Sequence, residues 1–115
     1  MDLGPWGEEM ACKHLIAQGY QVLHRNFRFK KSEIDIIVRK DQTIAAVEVK
    51  TRAGTLVGSP LHSINKTKQR HLIVGINHYV QLIKEPVEVR MDAIIIIKQG
   101  DNITIDHIMD AFPAF

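Results

Sequence analysis

At 115 residues and 13.1 kDa the chain has the size of one domain, large enough to bury a core without disulfide or metal staples. Its 45% hydrophobic and 24% charged residues match an ordinary globular composition and exclude global disorder. A formal charge of +2, from 15 basic and 13 acidic residues, is too small to mark a nucleic-acid binder by itself.

The chain opens Met1-Asp2-Leu3-Gly4, without the basic and apolar regions of a secretory leader. No apolar run approaches the roughly 20 residues of a membrane helix, so a cytoplasmic location is expected. From Gly7 to Gln18, Met10, Ala11, His14, Leu15 and Ala17 recur at helical spacing, and Gly19 is a stop signal. Within this helix lies Cys12, the one cysteine, which excludes an intramolecular disulfide and suits a reducing compartment. Three strands are predicted at 20–29, 32–39 and 43–50, with turns at Lys30-Lys31 and Asp41-Gln42. Gly54, Gly58, Ser59 and Pro60 mark a loop. A second helix is expected from Ser63 or Asn65 to about Ile83, with Leu72, Ile76, Tyr79, Val80 and Ile83 on one face and Pro86 past its end. Residues 87–97 read as a strand whose Ile94-Ile95-Ile96-Ile97 run implies burial on both faces. A short strand at 103–105 and a tail ending Ala111-Phe112-Pro113-Ala114-Phe115 complete the chain. The order α-β-β-β-α-β predicts an α/β fold, a central mixed sheet flanked by helices, with the second helix crossing between parallel neighbours.

Regular strand alternation puts Glu33 and Asp35 on one face and Ile34, Ile36 and Val38 on the other. It likewise sets Glu48 and Lys50 against Val47 and Val49. A hairpin through Asp41-Gln42 with Lys40 across from Thr43 then aligns Asp35 with Glu48 and Glu33 with Lys50. A one-residue slip would carry charge into the core, so the parity of this register is well specified. Two carboxylates across a ladder have Cβ atoms roughly 5 Å apart and repel one another unless a cation lies between them. Mg²⁺ suits such a pair, because it takes few carboxylate oxygens and keeps positions for water and phosphate. Lys50 would orient or help deprotonate an attacking water, while the metal polarises the phosphoryl oxygen. A lone E-x-K is usually a solvated strand end. The pairing of E-x-D with E-x-K one hairpin apart favours a metal-dependent phosphodiesterase.

The Asp35 and Glu48-Val49-Lys50 arrangement resembles the PD-(D/E)xK nuclease superfamily, and nearly the whole chain resembles the YraN family of bacterial proteins. The matching segments are Gly7-Glu8-Glu9-Met10-Ala11, Gly19-Tyr20, Arg25-Asn26, Glu33-Ile34-Asp35-Ile36-Ile37, Val47-Glu48-Val49-Lys50-Thr51-Arg52, Gly58-Ser59-Pro60, Lys68-Gln69-Arg70, Arg90-Met91-Asp92 and Ala111-Phe112. That family is in turn similar to archaeal Holliday-junction resolvases. The resemblance implies a restriction-endonuclease-like core in a single domain over residues 1–115. It implies Asp35 and Glu48 as metal-binding acids, Lys50 as the catalytic lysine, Glu8 as a further metal-site carboxylate and Glu33 as a supporting acid. Ser32 stands where the family's G-E-I-D segment usually has glycine, and Ile34 where the superfamily often has proline. The implied cofactor is Mg²⁺ or Mn²⁺. The implied partner is nucleic acid, foremost structured or branched DNA, with a homodimer as one assembly. Alternatives are a catalytically silent nucleic-acid-binding module in a repair or transformation complex, and a structural role in which the charges form a cross-strand network.

With Glu8, Glu33, Asp35 and Glu48 gathered at one site, the 15 basic residues face nine remaining acids, a balance of +6. An acidic pocket in a basic surround is a layout for gripping phosphates around a metal. Lys66, Lys68 and Arg70 open the second helix and could bind phosphate, with Arg28, Lys30 and Lys31 extending the track; a solvated helix end explains them equally well. Arg52 and Arg90 could contact phosphate or pair with a motif acid. The six histidines show no H-x₃-H or Cys-His spacing, which argues against zinc. Trp6 is expected as a packing anchor, and the C-terminal tail as a cover for the core or part of a dimer interface.

Overall fold

The structure, a computed structural model, describes residues 3–54 and 64–114. Gly58, Ser59, Pro60 and Ser63 of the expected loop and helix start lie outside the described residues, as does Phe115. Helix α1 spans Gly4–Ala17, three residues earlier than the periodicity indicated, because Pro5 sits in the first turn, where its missing N–H costs nothing. It ends in a Schellman motif: Tyr20 N–H donates to the Leu15 carbonyl and Gly19 N–H to that of Ile16, each at 3.0 Å. The Tyr20 and Leu15 side chains pack in one cluster.

Strands β1 (Gln21–Phe29), β2 (Ser32–Lys40) and β3 (Thr43–Ala53) form an antiparallel meander. They turn at the two dipeptides read from the sequence, with Lys30 and Asp41 in the left-handed region (φ 54° and 55°). Lys40 pairs with Thr43, the register expected of the hairpin. Helix α2 (Lys66–Ile83) is capped by Asn65, whose side chain accepts from Lys68 N–H at 2.9 Å. It stops at Lys84, two residues before Pro86. The chain then enters β4 (Glu88–Gln99), parallel to β3 as the crossover reading requires, and returns antiparallel in β5 (Asn102–Phe112). The five strands lie side by side in chain order.

The sheet has an apolar cluster on each face. On one face α2 contributes Leu72 and Ile76 against Ile34, Ile37, Ala46, Met91, Ala93 and Ile95. On the other α1 contributes Ala11, Cys12 and Leu15 against Ile36, Val38, Val47, Ile94 and Ile96, with Trp6 packed at the margin. The isoleucine run of β4 therefore fills both layers. Among the described residues no helix is long and apolar enough to cross a membrane.

Two expectations are corrected. The last strand is eleven residues long rather than three, and it takes in Phe112, which is buried in the α2-side core. Its Asp106 and Asp110 interrupt any apolar alternation, so pairing along β4 defines it rather than its own pattern. The second correction concerns β2. Ile34 packs on the α2 side but Ile36 and Val38 on the α1 side, so the alternation breaks at Asp35. On the neighbouring strand Phe27 pairs with Ile34 and Arg25 with Ile36, and the residue between, Asn26, has a left-handed φ of 54°. Both strands kink together at this level.

Candidate functional site

The kink opens the site. The ladder between β2 and β3 runs from Lys40–Thr43 to Ile36–Val47, and beyond it the Asp35 carboxylate accepts from Val49 N–H at 2.8 Å. A side-chain oxygen thus takes the place of a ladder carbonyl, which fixes Asp35 beside β3. Glu48 follows Val47 and faces the α2 side, its side chain only 5% exposed. Its Oε1 lies 3.0 Å from Lys68 Nζ of α2 and 3.8 Å from Lys50 Nζ of its own strand. Its Oε2 is buried and meets no hydrogen-bond donor among the described residues.

Burial, and next the neighbouring Asp35 carboxylate, push the Glu48 carboxyl up to about 7 against the opposing pull of Lys68. Burial and the adjacent Lys68 ammonium hold Lys50 below the usual lysine range. Lys68 moves the other way: burial opposes its charge, but the bond to Glu48 prevails and raises it. Glu8, on α1, is raised by burial and then by Asp35, which places it in the field of the same acids.

Two clefts meet at the Asp35–Glu48 pair. One runs toward α2 and is lined by Lys31, Glu33, Asn65, Thr67, Lys68 and His71. The other runs toward α1 and is lined by Glu8, Val49, Lys50, Thr51 and Arg52. The structure therefore gathers Glu8, Asp35, Glu48, Lys50 and Lys68, with Glu33 and Arg52 along the walls. Among the described residues no three His, Cys, Asp or Glu side chains converge into a ready ligand set. Asp35 and Glu48 are the close pair.

This chain matches the model of "Uncharacterised protein family UPF0102" over residues 7–96. It belongs to that family. A UPF0102 protein of Christiangramia forsetii is 40% identical over 111 residues, covering 96% of this chain and 93% of that protein. One from Flavobacterium johnsoniae is 36% identical over 118 residues, covering 99% and 96%. One from Caldicellulosiruptor saccharolyticus is 49% identical over 80 residues, covering 70% and 68%.

Other residues singled out in this UPF0102 chain stand elsewhere. Glu33 does not meet Lys50: it is exposed and pairs with Arg28 at 3.2 Å, because the kink at Asp35 ends the register that would have aligned them. Arg70 is exposed on α2 and donates to Thr67 Oγ1 at 3.3 Å. Arg90 is committed to a second polar cluster on the α1 face, about five residues (~16 Å) back along β4 from the level of Lys50. Its Nε and Nη2 donate to the two Asp92 carboxylate oxygens at 2.8 and 2.9 Å, and Nη2 also donates to Tyr20 Oη at 2.6 Å. His107 Nε2 lies 2.8 Å from Asp92, and Asp110 N–H donates to it at 3.2 Å. Sequence reasoning missed this cluster. Its one sequence signal was an Arg and an Asp two apart in an apolar strand, hence on one buried face.

Proposed function

We propose that this UPF0102 protein is a Mg²⁺- or Mn²⁺-dependent phosphodiesterase of restriction-endonuclease-like type, acting on structured or branched DNA. The observation that carries the reading is Glu48: a buried carboxylate with one oxygen lacking any donor among the described residues, held against Asp35, with Lys50 beside it. Buried charge is tolerated where it is paired or binds a metal, and an orphaned carboxylate oxygen asks for a cation. The donors fit a hard divalent ion, for which Asp35 and Glu48 would be the protein ligands and Glu8 an outlying acid at the cleft wall. When bound, such an ion supplies Lewis-acid polarisation of a phosphoryl oxygen and a more acidic water.

The chain's own groups do the rest. Lys50 Nζ, 3.8 Å from Glu48, orients the attacking water and offsets phosphate charge. Lys31 and Lys68 in one cleft and Arg52 in the other offer cations to the phosphates of a strand crossing the site, with Arg70 further out on α2. Glu33 supports the edge hairpin through Arg28. The buried free thiol of Cys12 suits a reducing, cytoplasmic setting.

The test is cleavage of junction, flap, single-stranded and duplex DNA with Mg²⁺ or Mn²⁺. Asp35→Asn, Glu48→Gln and Lys50→Ala should each lower the rate by on the order of 10³-fold or more, as expected for groups serving the transition state. A wild-type protein that leaves all four substrates intact overturns the reading. Salt-dependent DNA binding without turnover would instead identify a binding module, a reading that the internal neutralisation of Glu48 by two lysines favours.

A further inference from the structure

Glu48 is served by two lysines of different origin. Lys50 comes from the same strand, and at 3.8 Å it is the more distant of the two. Lys68 comes from the first turn of α2 and is the closer, at 3.0 Å. Its backbone is pinned, since its N–H donates to the Asn65 cap. Its side chain is not pinned in the same way: it is 36% exposed at the cleft edge, whereas the Glu48 side chain is 5% exposed. A lysine stem has four rotatable carbons and a compact, strongly hydrated head, so the ammonium can move to solvent while Glu48 stays in place. Lys68 therefore neutralises the carboxylate on which metal binding depends, and it does so from a mobile tether.

We propose that Lys68 is a tethered counter-ion that competes with the divalent cation for Glu48, moving off when the metal binds and so setting the protein's metal affinity. The inference rests on the metal reading of the Asp35–Glu48 site. It assigns Lys68 a positioning role before any phosphate arrives. The exchange has a simple electrostatic basis: an ammonium offsets one charge of the carboxylate pair, and a divalent ion offsets both.

Calorimetric titration with Mn²⁺ alone at pH 8, without nucleic acid, tests this on the full chain. Lys68→Met should bind Mn²⁺ about tenfold more tightly than wild type, equivalent to about 1.4 kcal/mol. Lys68→Arg, which restores a cation at the same place, should return to the wild-type affinity. Lys66→Met removes the same charge from the same helix turn without reaching Glu48, and should also bind as wild type does. Glu48→Gln should bind far more weakly. Thermal melts establish that each variant is folded, and Lys68→Gln replaces Lys68→Met should the latter fail. The inference alone is overturned if wild type binds Mn²⁺ and Glu48→Gln does not, yet Lys68→Met is no tighter, or Lys66→Met gains as much. If neither wild type nor Lys68→Met binds, or if Glu48→Gln binds as well as wild type, the metal reading falls and takes this inference with it.

Discussion

At the scale of single residues, Glu48 couples the site to stability through protons. Its carboxyl titrates near 4.5 when unfolded and near 7 when folded, raised by burial and by Asp35. Between those values the folded chain holds more protons than the unfolded one, so stability falls as pH rises through the window, and the loss is complete above about 7. At about 1.4 kcal/mol per pKa unit the penalty at pH 8 is on the order of 3 kcal/mol. Glu48→Gln should flatten that slope. It should also raise stability at pH 8 by about 2 kcal/mol, less than the full penalty because Lys50 and Lys68 lose their partner. Urea unfolding of both proteins at pH 4.5 to 8 measures the difference, and parallel curves would refute the assignment. The local chemistry of Glu48 and Lys50 was readable in the sequence, because β3 keeps its alternation there: Val47 and Val49 pack on the α1 side and leave Glu48 and Lys50 together on the other face. The orientation of Asp35 was not, because the kink it shares with Asn26 depends on a neighbouring strand.

At the scale of elements, the approach of α2 to the sheet decides whether Lys68 reaches Glu48. Gly75 packs directly on β2: a Cβ there would lie 2.0 Å from Ser32 Oγ and 2.7 Å from Ser32 Cβ. Alanine is the better helix former by about 1 kcal/mol, but overpacking of this severity costs about 1–3 kcal/mol and displaces the helix. Gly75→Ala should therefore be destabilising by about 1–2 kcal/mol net and should weaken any Mn²⁺-dependent activity. Ser32 is itself a cost, because its buried hydroxyl has no partner among the described residues. Ser32→Ala should stabilise by about 1 kcal/mol, and Ser32→Gly should erase most of the Gly75→Ala penalty in a double-mutant cycle. Additive losses in that cycle would show that the contact is not the cause. Helix ends and hairpin turns were legible because their signals are local: Pro5, Gly19, Asn65, and the dipeptides at 30–31 and 41–42. Strand β5 was not, since its length comes from the β4 ladder and its bulge near Asp110.

At the scale of the whole molecule, the two charged clusters divide the labour by face. Glu48 and its lysines lie toward α2, while Asp92, Arg90, Tyr20 and His107 lie toward α1 and join the end of α1 to β4 and β5. The second cluster could not be assembled from sequence, because Tyr20 stands 70 positions before Arg90 and His107 stands 15 after Asp92. Asp92 is 1% exposed. Burial opposes its charge, but hydrogen bonds from His107 and Arg90 outweigh that and hold its carboxyl below the usual carboxylate range. A depressed folded pKa contributes stability that is present above the unfolded value of 3.8 and lost as pH falls through the folded one. Asp92→Asn keeps the shape but leaves the half-buried Arg90 uncompensated, so it should cost about 3–5 kcal/mol at pH 7. The gap from wild type should narrow toward pH 2. An apolar pair, Arg90→Met with Asp92→Leu, should recover much of the loss, because it removes both charges together. Since this cluster lies on the opposite face from Glu48, variants that remain folded should bind Mn²⁺ with wild-type affinity. Denaturant unfolding at pH 2 to 7, paired with the metal titration, separates the two faces. A loss of metal affinity in the folded double variant would mean that they are coupled through β4.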